Sequence, residues 1–118
     1  MNSLALFLEK LKNNTNSVSF HEAIEIIDEN YTFTPTAFKN GSHMNNAGEN
    51  NGSCKIFGFA RLNQLNEKET LQMFGDYYFK DVLENPLNND HLNIRNFMQF
   101  GWEGIHFEGN PLTPKTNN

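Results

Sequence analysis

The apolar content of this sequence is carried by aromatic rings. Eleven phenylalanines, three tyrosines and one tryptophan accompany a valine complement close to nil, so over a third of the apolar residues are aromatic (13% of a 37% total). A chain of 118 residues accommodates one compact domain and no second. Large rings, each burying about 150–250 Å², are what give so short a chain a sufficient core. The expected organisation is one domain over residues 1–112 and a flexible polar tail over 113–118. A single cysteine, Cys54, excludes an intrachain disulfide and with it a stapled secreted scaffold. Asparagine is the commonest residue, a bias that an A/T-rich genome also produces, and it is given little functional weight.

Fourteen acidic residues outnumber nine basic ones, for a net charge of −5, and the only arginines are Arg61 and Arg95. Phosphate backbones are gripped by Lys and Arg, so neither nucleic acid nor an anionic membrane is an expected partner. The longest nearly apolar stretch, Leu4 to Leu8, is far short of the roughly 20 residues of a membrane span. No basic start followed by an apolar run and a cleavage site is visible. The expected address is the cytoplasm, and the expected partner a protein or a small molecule.

Leu4, Phe7, Leu8 and Leu11 recur at helical spacing over Ser3 to Lys12. Ser19 and Glu22 form a capping pattern with Val18 and Ala23 as staple, opening a second helix over Phe20–Asn30. Tyr31, Phe33 and Phe38 alternate with threonines across Pro35 and read as an extended segment, ended by a turn at Asn40-Gly41. Ser42 to Asn51 reads as a polar loop. A third helix is expected from Ser53, as N-cap, to about Leu65. A fourth runs over Glu67–Glu84 and stops at Pro86. Asp90 caps a fifth over His91–Phe100, which Gly101 terminates. Ile105-His106-Phe107 reads as a strand whose natural partner is the Tyr31–Phe38 segment. The fold class is therefore α+β and mostly helical, about five helices with a small antiparallel sheet.

Chemistry concentrates at Cys54. In the first turn of a helix, free N–H groups and the helix dipole favour a thiolate, and Gly-Ser-Cys echoes the local sequence around a papain-type nucleophile. A thiol-dependent hydrolase or acyl transferase would use Cys54 as nucleophile and His91 as base, with the adjacent Asp90 to orient it; His43 and His106 are the remaining alternatives. The competing reading makes Cys54 a small buried residue of a core helix. Arg95, beside the inward Ile94, is expected to pair with an acid such as Asp28, Asp76 or Asp81. The histidines are scattered without metal-ligand spacing, and no phosphate-binding glycine loop precedes a helix, so neither a metal nor another cofactor is expected.

The ordered series Phe20-His21-x-x-Ile24, Asp28-x-x-Tyr31, Phe38-x-Asn40-Gly41, Asn51-Gly52-Ser53-Cys54-Lys55, Thr70-Leu71-x-x-Phe74-Gly75-x-Tyr77-Tyr78, Asp90-His91-x-Asn93-Ile94-Arg95-x-Phe97 and Gly101-Trp102 resembles the HopJ-type type III effector family. The resemblance covers about Phe20 to Leu112. It implies a small protein of a kind that a bacterial secretion system delivers into host cells, and it implies no particular reaction. Its polar residues (His21, Asn40, Asn51, Ser53, Cys54, Asp81, Asp90, His91, Asn93 and Arg95) come from separate segments. Convergence in one cleft would make them a site, with Asn51, Ser53, Asn93 and Arg95 as ligand-binding candidates. Separate capping and pinning roles would make them a folding pattern.

Overall fold

The structure is a computed structural model that describes residues 3–13 and 18–115. The third helix organises it. This helix, α3 (Asn51–Leu62), buries Cys54 and every residue from Ile56 to Ala60, so it is apolar nearly all round, as a helix enclosed by its neighbours must be. Phe57 is the centre of the core. Its ring centroid lies 4.9 Å from Phe97, 5.6 Å from Phe74, 6.0 Å from Phe38 and 6.4 Å from Trp102. Truncating such a ring costs about 3–5 kcal/mol.

The helices before it follow their periodicity. Helix α1 (Ser3–Lys12) buries Phe7 and Leu11, and α2 (Phe20–Asn30) buries Ala23, Ile26 and Ile27, while Phe20 and Ile24 are only partly covered. Ser19 caps α2 by accepting from the Glu22 N–H at 3.0 Å. The Glu22 carboxylate pairs with Lys10 at 3.0 Å and ties α2 to α1. The break expected over Asn13–Ser17 lies, beyond Asn13, outside the described residues.

The strands pair only partly as expected: Phe38 does lie opposite Phe107, but Tyr31–Phe33 pairs elsewhere. Strand β1 (Tyr31–Phe33) pairs antiparallel with β5 (Leu112–Pro114), Tyr31 opposite Pro114. A separate three-stranded sheet has the order β3-β2-β4, where β2 (Phe38–Asn40) lies between β3 (His43–Asn45) and β4 (Ile105–Phe107). The Pro35 region divides the segment read as one strand into two that serve different sheets. The expected Ser42–Asn51 loop contains β3, because Gly41, at φ +64°, closes a tight hairpin. Residues 113 and 114, expected in a polar tail, belong to β5. Lys115 fastens the chain beyond it, its N–H donating to the Asn30 carbonyl and its Nζ to the Asp28 carbonyl.

Three helix boundaries also move. The expected helix over Glu67–Glu84 breaks into α4 (Glu67–Gln72), capped reciprocally by Asn66 and Glu69, and a π-helical turn over Tyr77–Val82. Gly75 between them adopts φ +58°, and a Cβ there would stand 2.8 Å from the Phe20 backbone nitrogen. Helix α3 begins at Asn51 rather than after Ser53, with Asn50 as N-cap. Helix α5 (Leu92–Phe100) begins after His91, which is its N-cap in place of Asp90. A 3₁₀ turn over Gly101–Gly104 leads into β4. It seats Trp102, whose indole N–H donates to the Leu65 carbonyl at 3.0 Å.

Candidate functional site

An open cleft of about 610 Å³ lies where α2, β3, the start of α3, the π-helical turn and the start of α5 meet. Phe20, Phe74 and Tyr77 are its aromatic wall; His43, Asn50, Ser53, Asp90 and His91 are its polar groups. A second depression of about 570 Å³ shares those three rings and adds His21, Ile24, Asp76 and Asp81.

Phe20 shapes the cleft. Its ring occupies the place a Cβ on Gly52 would need, 2.7 Å from Phe20 Cζ, so the ring lies directly on the first turn of α3. It meets Tyr77 edge-on at 5.2 Å. Tyr77 in turn tilts against the His91 ring at 5.3 Å, and 45% of Tyr77 remains exposed.

Two backbone positions set the geometry of the polar side. Asn50 (φ 53°, ψ 47°) and His91 (φ 51°, ψ 50°) both stand in the left-handed region, each immediately before a helix. Side-chain-bearing residues enter this region at a cost on the order of 1–3 kcal/mol and persist where surrounding structure holds them. The sharp reversals aim the starts of α3 and α5 at the same cleft, and neither start is capped by a side chain.

A buried amide network holds these starts together. Asn40, Asn45 and Asn93 are at most 6% exposed. Asn45 and Asn93 exchange hydrogen bonds, Asn93 Nδ2 donating to Asn45 Oδ1 at 3.0 Å and Asn45 Nδ2 to Asn93 Oδ1 at 3.2 Å. Asn40 Nδ2 donates to the Asn93 carbonyl at 2.8 Å, and Asn50 Nδ2 to Asn45 Oδ1 at 2.6 Å. Asn96 Nδ2 adds a bond to the Asn40 carbonyl at 3.0 Å. The β2–β3 hairpin, the entry to α3 and the first turn of α5 are therefore tied together by hydrogen bonds. Composition concealed this network, because a general asparagine excess masks the few amides with specific work.

Of the candidates read from the sequence, the cleft brings together Ser53, Asp90, His91 and Asn93. Asn51 is exposed beside it. Arg95 lies outside it. Its guanidinium binds the loop before α5, Nη2 donating to Asp90 Oδ1 at 2.7 Å and Nε to the Asp90 carbonyl at 2.6 Å. Its partner is thus Asp90 and none of Asp28, Asp76 or Asp81. That hydrogen bond holds the Asp90 carboxyl below the usual aspartate range. Asp90 consequently neither caps α5 nor orients His91. The carboxylate at His91 is Asp81, 3.1 Å from Nε2.

Cys54 is also absent from the cleft lining. Because α3 starts earlier than expected, the Cys54 N–H is already bonded to the Asn50 carbonyl at 3.0 Å. The thiol is 1% exposed and donates to the Thr36 carbonyl at 3.5 Å. Burial pushes its pKa up to about 11. The expected thiolate is thus disfavoured, since the desolvation of a charge outweighs the helix dipole. Sequence reasoning named Tyr77 among aromatic residues that could line a groove but missed Phe20 as a cleft wall. The signal for Phe20 was Gly52 and Gly75, two glycines that make room for it. Among the described residues, no group of three or more His, Cys, Asp or Glu side chains is placed to hold a metal ion, and no helix is long and apolar enough to cross a membrane.

The family model for the HopJ type III effector protein matches residues 4–112. A crystal structure of a protein of unknown function, VPA0580, is 51% identical to the chain with a TM-score of 0.94, over 98% of this chain and 95% of that one. Among curated proteins, none matches the chain.

Proposed function

The chain belongs to the HopJ type III effector protein family, and from that premise we propose that it is a binding domain whose ligand occupies the cleft between Phe20, Tyr77 and His91. The observation that carries this reading is the convergence of two uncapped helix starts, two imidazoles and an exposed tyrosine ring on one cleft of about 610 Å³. The volume is in the range of small-molecule sites, roughly 300–1,000 Å³. Its chemistry suits a small molecule with one flat apolar part for the Phe20 and Tyr77 rings and hydrogen-bonding groups for Ser53, His43 and His91. The thiol-enzyme alternative draws no support from Cys54, whose surroundings keep the thiol neutral and bonded to Thr36.

The proposed place of action is the bacterial cytoplasm. Titrating ¹⁵N-labelled protein with a panel of small aromatic amides tests the binding reading. Shifts are expected at Ser53, Tyr77, His91 and Asn93, and Tyr77→Ala weakens the response. Shifts confined to other surfaces, or a response indifferent to Tyr77→Ala, would overturn it.

A further inference from the structure

At the opposite end of α3 lies a smaller pocket of about 240 Å³, bounded by Arg61 and Leu62 on the last turn, Phe107 on β4, and Asn110 and Pro111 between β4 and β5. We propose that this pocket binds a carboxylate carried on a short apolar body, with Arg61 as its anchor.

Arg61 is held but not neutralised. Its guanidinium carbon stands 5.7 Å from the ring centroids of both Trp102 and Phe107, so two aromatic faces fix its direction. In a chain with more acidic than basic residues, Arg95 is committed to Asp90. No carboxylate among the described residues forms an ion pair with Arg61. A planar fork of N–H donors, preorganised and without an anion, matches a carboxylate in two-point geometry. Beside Arg61 the wall is mixed: Leu62, which is 51% exposed, Phe107 and Pro111 supply its apolar part, and Asn110 adds a polar group. Carboxylate and hydrocarbon together define the ligand, which is either a free monocarboxylic acid or the C-terminal residue of a peptide.

The chain has one tryptophan, and it is the ring beneath Arg61. Trp102 stands 5.7 Å from the Arg61 guanidinium carbon and does not line the cleft at the start of α3, so its fluorescence is the readout chosen for this pocket. The probes are hexanoate, its uncharged analogue hexanamide, acetyl-Ala-Leu-Leu with a free C-terminus, and the same peptide amidated. A saturable change in Trp102 emission is expected with at least one of the two carboxylates and with neither amide. Saturation by hexanoate alone assigns the site to free acids, by the peptide alone to C-termini, and by both to the carboxylate whatever carries it. Arg61→Gln is expected to weaken the response at least about tenfold, and Arg61→Lys to weaken it less, since lysine keeps the charge and loses the fork. Both variants retain the native circular dichroism, because the side chain is exposed. No saturable response to either carboxylate, an equal response to the amides, or an undiminished response in folded Arg61→Gln overturns the proposal.

Discussion

His91 Nε2 stands 3.1 Å from Asp81 Oδ2, ten residues back along the chain, although Asp90 is its immediate neighbour. His91 has left-handed backbone, and its imidazole rests on the π-helical turn, where it also meets Tyr77. The pair joins the two depressions, His91 lining one and Asp81 the other. Replacing Asp81→Asn should therefore change binding in the cleft more than it changes stability. Both partners are solvent-accessible, with side chains 29% and 51% exposed, so the expected stability loss is below about 1 kcal/mol. Urea midpoints beside ligand titrations check this, and a loss of several kcal/mol would mean that the pair holds the fold.

The second pair divides the work differently. Arg95 lowers the Asp90 carboxyl through a 2.7 Å hydrogen bond. A depressed carboxyl contributes stability that is present above its ordinary pKa of 3.8 and is lost as pH falls through the folded value. In Arg95→Gln, the Asp90 resonance should titrate closer to the ordinary range. An unshifted titration curve in that variant would assign the depression to another group.

Cys54 gives the opposite pH response. Its folded thiol titrates near 11 against an ordinary 9.0, so above about pH 9 the unfolded chain loses this proton first. The contribution of keeping the thiol neutral is complete below about pH 9 and declines as pH rises through about 11. The stability difference between the native chain and Cys54→Ala should therefore narrow across that window. Iodoacetamide near pH 7 is expected to label Cys54 only after denaturation, and rapid labelling of the folded protein would restore a nucleophilic role.

Removing the Asn93 side chain leaves the amides of Asn40 and Asn45 buried with fewer partners. Each unsatisfied buried group costs roughly 1–3 kcal/mol, so Asn93→Ala should destabilise by about 2–4 kcal/mol, measured by urea unfolding. Asn96→Ala removes a single partly buried bond and should cost about 1 kcal/mol. Equal losses for the two would show that the network acts pairwise.

Elements whose signals are local were legible. The apolar spacing of Leu4, Phe7, Leu8 and Leu11 and the cap at Ser19 gave α1 and α2 to the residue. Failures came where the backbone leaves ordinary helix geometry or where pairing is distant. A glycine at φ +58° reads in sequence as a tolerated helix interior, so Gly75 was invisible as a break. Three-residue strands carry too little pattern to declare partners, and Tyr31 found Pro114 where Ile105–Phe107 was expected. The candidate site was half legible. Its segments were known from the Asn51–Cys54 and Asp90–Arg95 motifs, but which residue faces the cleft depended on left-handed turns at Asn50 and His91 that neither composition nor periodicity reveals.

The amide network also bears on the order of folding. Asn40 and Asn93 are 53 residues apart in sequence, and Asn45 and Asn93 are 48 apart. The β2–β3 hairpin closes on a short turn, whereas these amides meet across a span that contains α3, α4 and the π-helical turn. Long closures are entropically late events. On that ground the cleft should be completed late in folding, and a chain that has collapsed around Phe57 but has not docked α5 would have a core without a site.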